Sequence, residues 1–276
     1  VDREERPDVD QIYMQAVMAL TGSGVWPLTA FLTPDLKPFY GGTYFPNSDR
    51  YGVPSFMTVL SSLSESWKNN RAGLVNAGEN LTGVIRQQSQ REAGREARLD
   101  EDVLKRAYQQ LRGNFDPDLG GFGRAPKFPR SHVLSFLLRY WKSAGDAEAL
   151  QMVTKTLDEM AKGGMYDQLG GGFHRYSVDE RWHVPHFEKM LYDQALLSKT
   201  YLEAYQATGN AEYAGIAREI FDYVFREMTS PEGPFYCAQD ADSAPDAAQP
   251  RKKKEGAVYV WEQAELEQLL GKDDAK

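Results

Sequence analysis

Cysteine is almost missing from this chain. Cys237 is the only one among 276 residues, so neither an internal disulfide nor a CxxC redox pair can form within it, and a reducing, cytoplasmic compartment is the expectation. Long apolar runs are missing as well. None approaches the roughly 20 residues that span a bilayer as a helix, so no membrane partner is expected. Basic charge is in deficit: 32 Lys and Arg stand against 40 Asp and Glu, a net charge of −8. Nucleic-acid binding needs a basic footprint, so that class of partner is not expected either. The single basic run, Arg251 to Lys254, lies in a polar stretch and reads as a solvated loop. The chain also lacks an initiator Met and a signal-type segment, opens at Val1 in mid-pattern, and reads as a piece of a longer protein. Histidine is scarce but not scattered. Of four in the chain, His174, His183 and His186 fall between Gly171 and Met190.

What remains is an ordinary globular composition, 41% hydrophobic and 26% charged, over a length that suits one large domain or two smaller ones. The first ninety residues alternate element types. Pro7 opens a helix whose apolar positions Val9, Ile12, Tyr13, Ala16 and Val17 share a face before Gly22 ends it. Residues 27–33 and 38–45 read as strands about the Pro34-Asp35 turn, and a long helix is expected from about Ser55 to Gln90, with Phe56, Val59, Leu60, Leu63 and Trp67 on one face. The order α, β, β, α assigns residues 1–90 to an α/β domain. Residues 88–99 hold almost no core-forming side chains and mark the boundary. From 100 to 276 the pattern is all-α, with helices expected at about 101–113, 130–143, 146–162, 186–207, 211–228 and 262–270, and one short strand at 257–260. Three loops, 115–123, 165–174 and 230–243, each place glycine just before Phe and recur every 50 to 60 residues. That period is the length of one helical hairpin plus its loop, so stacked hairpins are expected.

Several long motifs then carry a family resemblance: VDREERPDVD from Val1, GVWPLTAFLTPD from Gly24, KPFYGGTYFP from Lys37, LGGGFHRYSVDERWHVPHFEKMLYD from Leu169, and DADS from Asp240. Together they resemble the thioredoxin-domain-containing family of spermatogenesis-associated protein 20 and the bacterial YyaL-like proteins. The resemblance implies a multidomain fold, α/β plus all-α. A partial thioredoxin-like domain, lacking its N-terminal CxxC half, is followed by a partial (α/α)6 toroid of the six-hairpin glycosidase type. It also implies a cis bond at Trp26-Pro27, a redox partner protein acting through the upstream segment, and a toroid of about twelve helices of which six are countable here. Half a toroid is expected to leave an apolar face exposed.

The chemistry implied by sugar epimerases of similar fold is acid/base proton transfer beside a carbonyl, work that histidine suits because its pKa lies near neutrality. His174 and His186 are the candidate acid/base groups, with Glu188, Asp193 and Asp240 orienting them or the sugar. His186 and Glu188 are separated by one residue, and on a helix positions i and i+2 do not share a face. Arg124, Lys127, Tyr166, Asp167, Phe173, Arg175, Trp182, His183 and Asp242 are the candidate contacts to a sugar-like small molecule. A zinc reading of His183, His186 and Glu188 fails on spacing, since Pro185 interrupts any helical register and no HExxH is present. Neither metal nor cofactor is expected. Two alternatives stand beside epimerisation: a redox-linked binding protein using the toroid as a recognition surface, and a glycoside hydrolase with two of the named acids as its carboxylate pair.

Overall fold

The computed structural model describes residues 1, 3, 5–22, 24–50, 52–93, 101–245 and 248–275. Its contacts divide the chain into two units, Val1–Arg98 and Leu99–Lys276. Residues 94–100, at the heart of the expected linker, lie outside the described residues.

In the first unit, α1 (Pro7–Thr21) starts on its proline, buries Ala16 and Val17, and stops at Gly22, which takes a left-handed φ of 79° while its N–H reaches Met18 O. Strands β1 (Thr29–Leu32) and β2 (Pro38–Gly42) form an antiparallel hairpin with Thr29 opposite Gly42 and Phe31 opposite Tyr40. Gly41 lets α1 press onto it. A Cβ there would lie 2.8 Å from Val17 Cγ2 and 2.9 Å from Thr29 O. The Trp26-Pro27 bond is cis, as the resemblance implies, and so is Ala125-Pro126 in the second unit. One expectation fails. The long helix from Ser55 is two helices, α2 (Phe56–Asn69) and α3 (Arg71–Ala93), because Asn70 leaves helical geometry at φ −143° and its side chain accepts the Gly73 N–H instead. Asn competes with the backbone in this way, and a hydrophobic pattern running straight through the break cannot reveal it.

The second unit is built from helical hairpins. Helices α4 (Glu101–Asn114), α5 (Ser131–Ala144), α6 (Ala147–Lys162), α7 (Leu191–Thr208), α8 (Ala211–Glu227) and α9 (Gln263–Leu270) follow one another in chain order. Two tight connections share one device. Gly145 ends α5 and Gly209 ends α7, both left-handed, and the next residue caps the following helix: Asp146 accepts from Glu148 N–H, Asn210 from Glu212 N–H. The buried stripe of α6, Ala149, Met152, Val153, Thr156, Leu157 and Met160, keeps helical spacing and packs with Leu134, Leu137 and Leu138 of α5 and Leu197 and Tyr201 of α7. α7 is apolar beyond that seam. Tyr192, Leu196, Leu202 and Tyr205 on it, and Phe221 and Phe225 on α8, are exposed.

Between the helices the loops are tied by short antiparallel pairs: β3 (Tyr176–Ser177) with β4 (Pro185–His186), β5 (Lys189–Met190) with β6 (Ala238–Gln239), and β7 (Asp242–Ser243) with β8 (Lys254–Glu255). Two expectations are corrected here. The helix placed from 186 begins at Leu191, because Pro185–His186 and Lys189–Met190 are drawn into β4 and β5. The strand placed at 257–260 is turn, and the pairing falls on Lys254–Glu255.

Candidate functional site

Two of the three glycine-Phe loops are knotted by buried lysines. In the first, Asp116 Oδ1 accepts the N–H groups of Asp118 and Leu119, and Lys127 Nζ bonds Asp116 Oδ2 and Gly120 O, each at 2.8 Å. In the second, Asp167 Oδ1 accepts the N–H groups of Leu169 and Gly170, and Lys189 Nζ bonds Asp167 Oδ2 at 2.8 Å and Gly171 O at 2.9 Å. The two match atom for atom. Each lysine is 1% exposed and lies over an aromatic ring, Lys127 over Trp182 and Lys189 over Tyr223. Burial alone would raise the Asp167 carboxyl, but the bond and charge of Lys189 and the Gly170 and Leu169 amides bring it below its ordinary value. Burial draws the Lys189 ammonium down, with Asp167 opposing. Lys127 and Asp167, expected at the sugar, are thus enclosed in these knots. Lys189 is the buried cation that sequence reading passed over. Its signal is the recurrence itself: a lysine shortly before each following helix, answering an Asp four residues upstream of a glycine.

Ahead of the second knot lies a cluster of titratable groups. His186 ends β4 and Glu188 lies in the two-residue link to β5, outside any helix, and there His186 Nε2 stands 3.9 Å from Glu188 Oε2. Arg175 holds Glu188 twice: its backbone N–H donates to Glu188 O, and its guanidinium donates to Oε2 at 2.8 Å. The other imidazole nitrogen, His186 Nδ1, lies 2.6 Å from Glu255 Oε1, and the ring stacks on Tyr176 at 4.9 Å between centroids. Asp193, in the first turn of α7, completes the group. Burial pushes its carboxyl up to about 7, against the pull of Arg175 and with the help of Glu188. Its Oδ2 is buried with no hydrogen-bond partner, as is Arg175 Nε.

The remaining candidates are dispersed. His174 is 2% exposed. Its Nδ1 faces Phe187 O, its ring is boxed edge-on by Phe187 and Tyr259, and burial, aided by the Lys189 charge, lowers its pKa to about 4. Phe173 and Trp182 are fully buried core, Trp182 donating to Leu119 O. Tyr166 is buried and hydrogen-bonded to Glu219. Asp240 is exposed and paired with Lys253 at 2.9 Å. Asp242 lies exposed in β7, Arg124 is exposed, and exposed His183 donates its backbone N–H to Asp179. Glu255, which joins the cluster, and Tyr259, which packs on His174 and Phe187, are remote in sequence and could not be assigned there from spacing. The two nitrogens of His186 face different carboxylates, so Glu188 and Glu255 do not converge with it on one point, and among the described residues no group of three acidic, His or Cys side chains is arranged to hold a metal ion. No described helix is long and apolar enough to cross a membrane.

Residues 1–86 match the family described as Thioredox_DsbH, protein of unknown function, DUF255. The chain is similar to spermatogenesis-associated protein 20 of Homo sapiens, 46% identical over 277 residues, and of Mus musculus, 45% identical over 276 residues. Each match covers 98% of this chain and 35% of the relative. The family resemblance carried by the motifs is thereby shown, for a chain that spans about a third of the length of the curated relatives it matches. Two solved structures are also similar. A sugar epimerase from a ruminal bacterium matches 50% of this chain and 40% of its own, at 19% identity and a TM-score of 0.44. A family 76 glycoside hydrolase from a bovine Bacteroides thetaiotaomicron strain matches 97% of this chain and 53% of its own, at 12% identity and a TM-score of 0.41.

Proposed function

We propose that the second unit carries a proton-transfer site for a sugar-like carbonyl compound, of the epimerase or isomerase type. One observation carries the reading: Asp193, a half-buried carboxyl with an unpartnered oxygen and a pKa near 7, beside the Arg175–Glu188–His186 cluster. An acid or base works best when its pKa lies near the working pH, and an unpartnered buried oxygen costs about 1–3 kcal/mol unless a ligand or water satisfies it. In the reaction, His186 Nε2 takes the proton from the carbon next to the carbonyl. The C–H pair becomes the enediol double bond, and protonated Asp193 gives its proton to the carbonyl oxygen. Return of a proton to the carbon, on either face or at the neighbouring carbon, regenerates both groups. Arg175 and Glu188 orient the hydroxyls.

The test is exchange of the C2 hydrogen of a panel of aldoses and of ketose C1 hydrogens in deuterated water, followed by NMR. Exchange that falls at least tenfold in Asp193→Asn and in His186→Gln supports the reading. No exchange with any sugar of the panel overturns it. Two neighbouring carboxyls, Asp193 and Glu188, also suit glycoside hydrolysis. That reading is favoured instead if aryl glycosides are cleaved while no sugar exchanges.

A further inference from the structure

Nothing so far accounts for Glu255. It lies in β8, almost seventy residues beyond His186, on a strand paired with Asp242–Ser243 and tied further by the Gly256 N–H to Ala241 O and by Lys253 to Asp240, and its carboxylate makes the shortest contact of the cluster, 2.6 Å to His186 Nδ1. We infer that Glu255 is the positioning residue of the site, which fixes the proton of His186 on Nδ1 and so turns Nε2, bare of hydrogen, toward Glu188. This inference rests on the proton-transfer reading above.

The argument is one of donor inventory. An ionised carboxylate can only accept, so an imidazole nitrogen at hydrogen-bond distance from it must carry the hydrogen. In the neutral ring the other nitrogen is then the acceptor, the only form in which it can take a proton from substrate. His186 is also held against rotation. Tyr176 stacks on one face of the ring at an interplanar angle of 22°, and the backbone of His186 pairs with Tyr176 across β3 and β4. A ring turned by half a circle about Cβ–Cγ would put the carbon Cδ2 where Nδ1 now meets Glu255 and lose that bond, so ring plane and tautomer are set by two different partners. The 3.9 Å from Nε2 to Glu188 Oε2 is too long for a hydrogen bond between them. One oxygen bonded to both can span it, and Arg175 holds Glu188 at that distance. His174 has a different environment. Its Nδ1 faces a backbone carbonyl, Phe187 O, and it has no carboxylate partner, so it serves as an internal control.

The experiment is long-range proton–nitrogen NMR of the uniformly nitrogen-15-labelled 276-residue chain at pH 8. His186 is assigned by the signals lost in His186→Gln. The expected result is His186 predominantly as the Nδ1–H tautomer in the unaltered chain. In Glu255→Gln, whose amide can donate as well as accept, that tautomer falls to a minority, and Glu255→Asp restores part of it, while the His174 signals stay unchanged in both. If C2 exchange is found, Glu255→Gln lowers its rate tenfold or more with little change in KM. A His186 that is mainly Nε2–H in the unaltered chain, or one whose tautomer is indifferent to Glu255→Gln, overturns the inference. The two readings fail separately. An Nδ1–H tautomer that responds to Glu255 in a chain without any sugar exchange sinks the catalytic proposal alone; exchange that survives Glu255→Gln with an unaltered tautomer sinks only the role of Glu255.

Discussion

At the scale of residues, two buried groups pull stability in opposite directions across one pH window. Asp193 titrates near 7 in the folded chain and near 3.9 when unfolded, so folding keeps a proton that the unfolded chain releases. Its contribution is therefore lost as pH rises from about 4 to 7. Asp193→Asn should raise the free energy of urea unfolding at pH 8, by the order of 1–3 kcal/mol, and leave it nearly unchanged at pH 4. His174 has the other sign. With a folded value of about 4 against an ordinary 6.5, it stays neutral while the unfolded chain takes up a proton, and stability is lost as pH falls from about 6.5 toward 4. His174→Gln should flatten the acid limb of a midpoint-against-pH curve and leave the limb above pH 7 as it was. The residue types of this site were legible in the sequence, since His186, Glu188, Arg175 and Asp193 are all picked out by their motif. Their geometry was not: the reading of 186 onward as helix set His186 and Glu188 on different faces, and the non-helical course of the chain through β4, the link at 187–188 and β5 brings the two together.

At the scale of elements, the lysine knots decide how the loops stand. Removing one partner of a buried ion pair costs about 3–5 kcal/mol, because the other charge stays buried alone. Lys189→Ala should lose about that much in denaturant unfolding, and Asp167→Asn added to it should recover part of the loss. The glycines beside the knots are graded by what surrounds them. A Cβ on Gly172 would meet Tyr223 Cδ1 at 2.5 Å at a φ of 76°, whereas one on Gly209, at a similar φ of 74°, meets nothing within 4 Å. Gly209→Ala should cost about 1–2 kcal/mol of backbone strain alone, and Gly172→Ala clearly more, read from the two melting curves side by side. Helices and hairpin loops were legible because periodicity, Gly caps and Asx caps are local. The helix break at Asn70 and the short strand pairs were not, because one depends on a side chain bonding the backbone three residues on and the others on partners up to about fifty residues away.

At the scale of the whole molecule, the division at the polar stretch around residue 98 and the hairpin succession of the second unit follow from composition and repeat length. Tyr192, Leu196, Leu202 and Tyr205 of α7 and Phe221 and Phe225 of α8 leave apolar surface exposed on the second unit. Light scattering should show association rising with concentration, and Leu202→Glu with Phe225→Glu should suppress it without lowering the melting midpoint.

The account depends above all on one carboxyl that keeps its proton into the neutral range. Carbon-13 NMR of the chain labelled at aspartate carboxyls, assigned by the signal lost in Asp193→Asn and titrated from pH 3 to 9, measures it without a substrate. A midpoint near 7 for Asp193 is the predicted result. A midpoint near the ordinary aspartate value, about 3.9, would contradict the acid/base site.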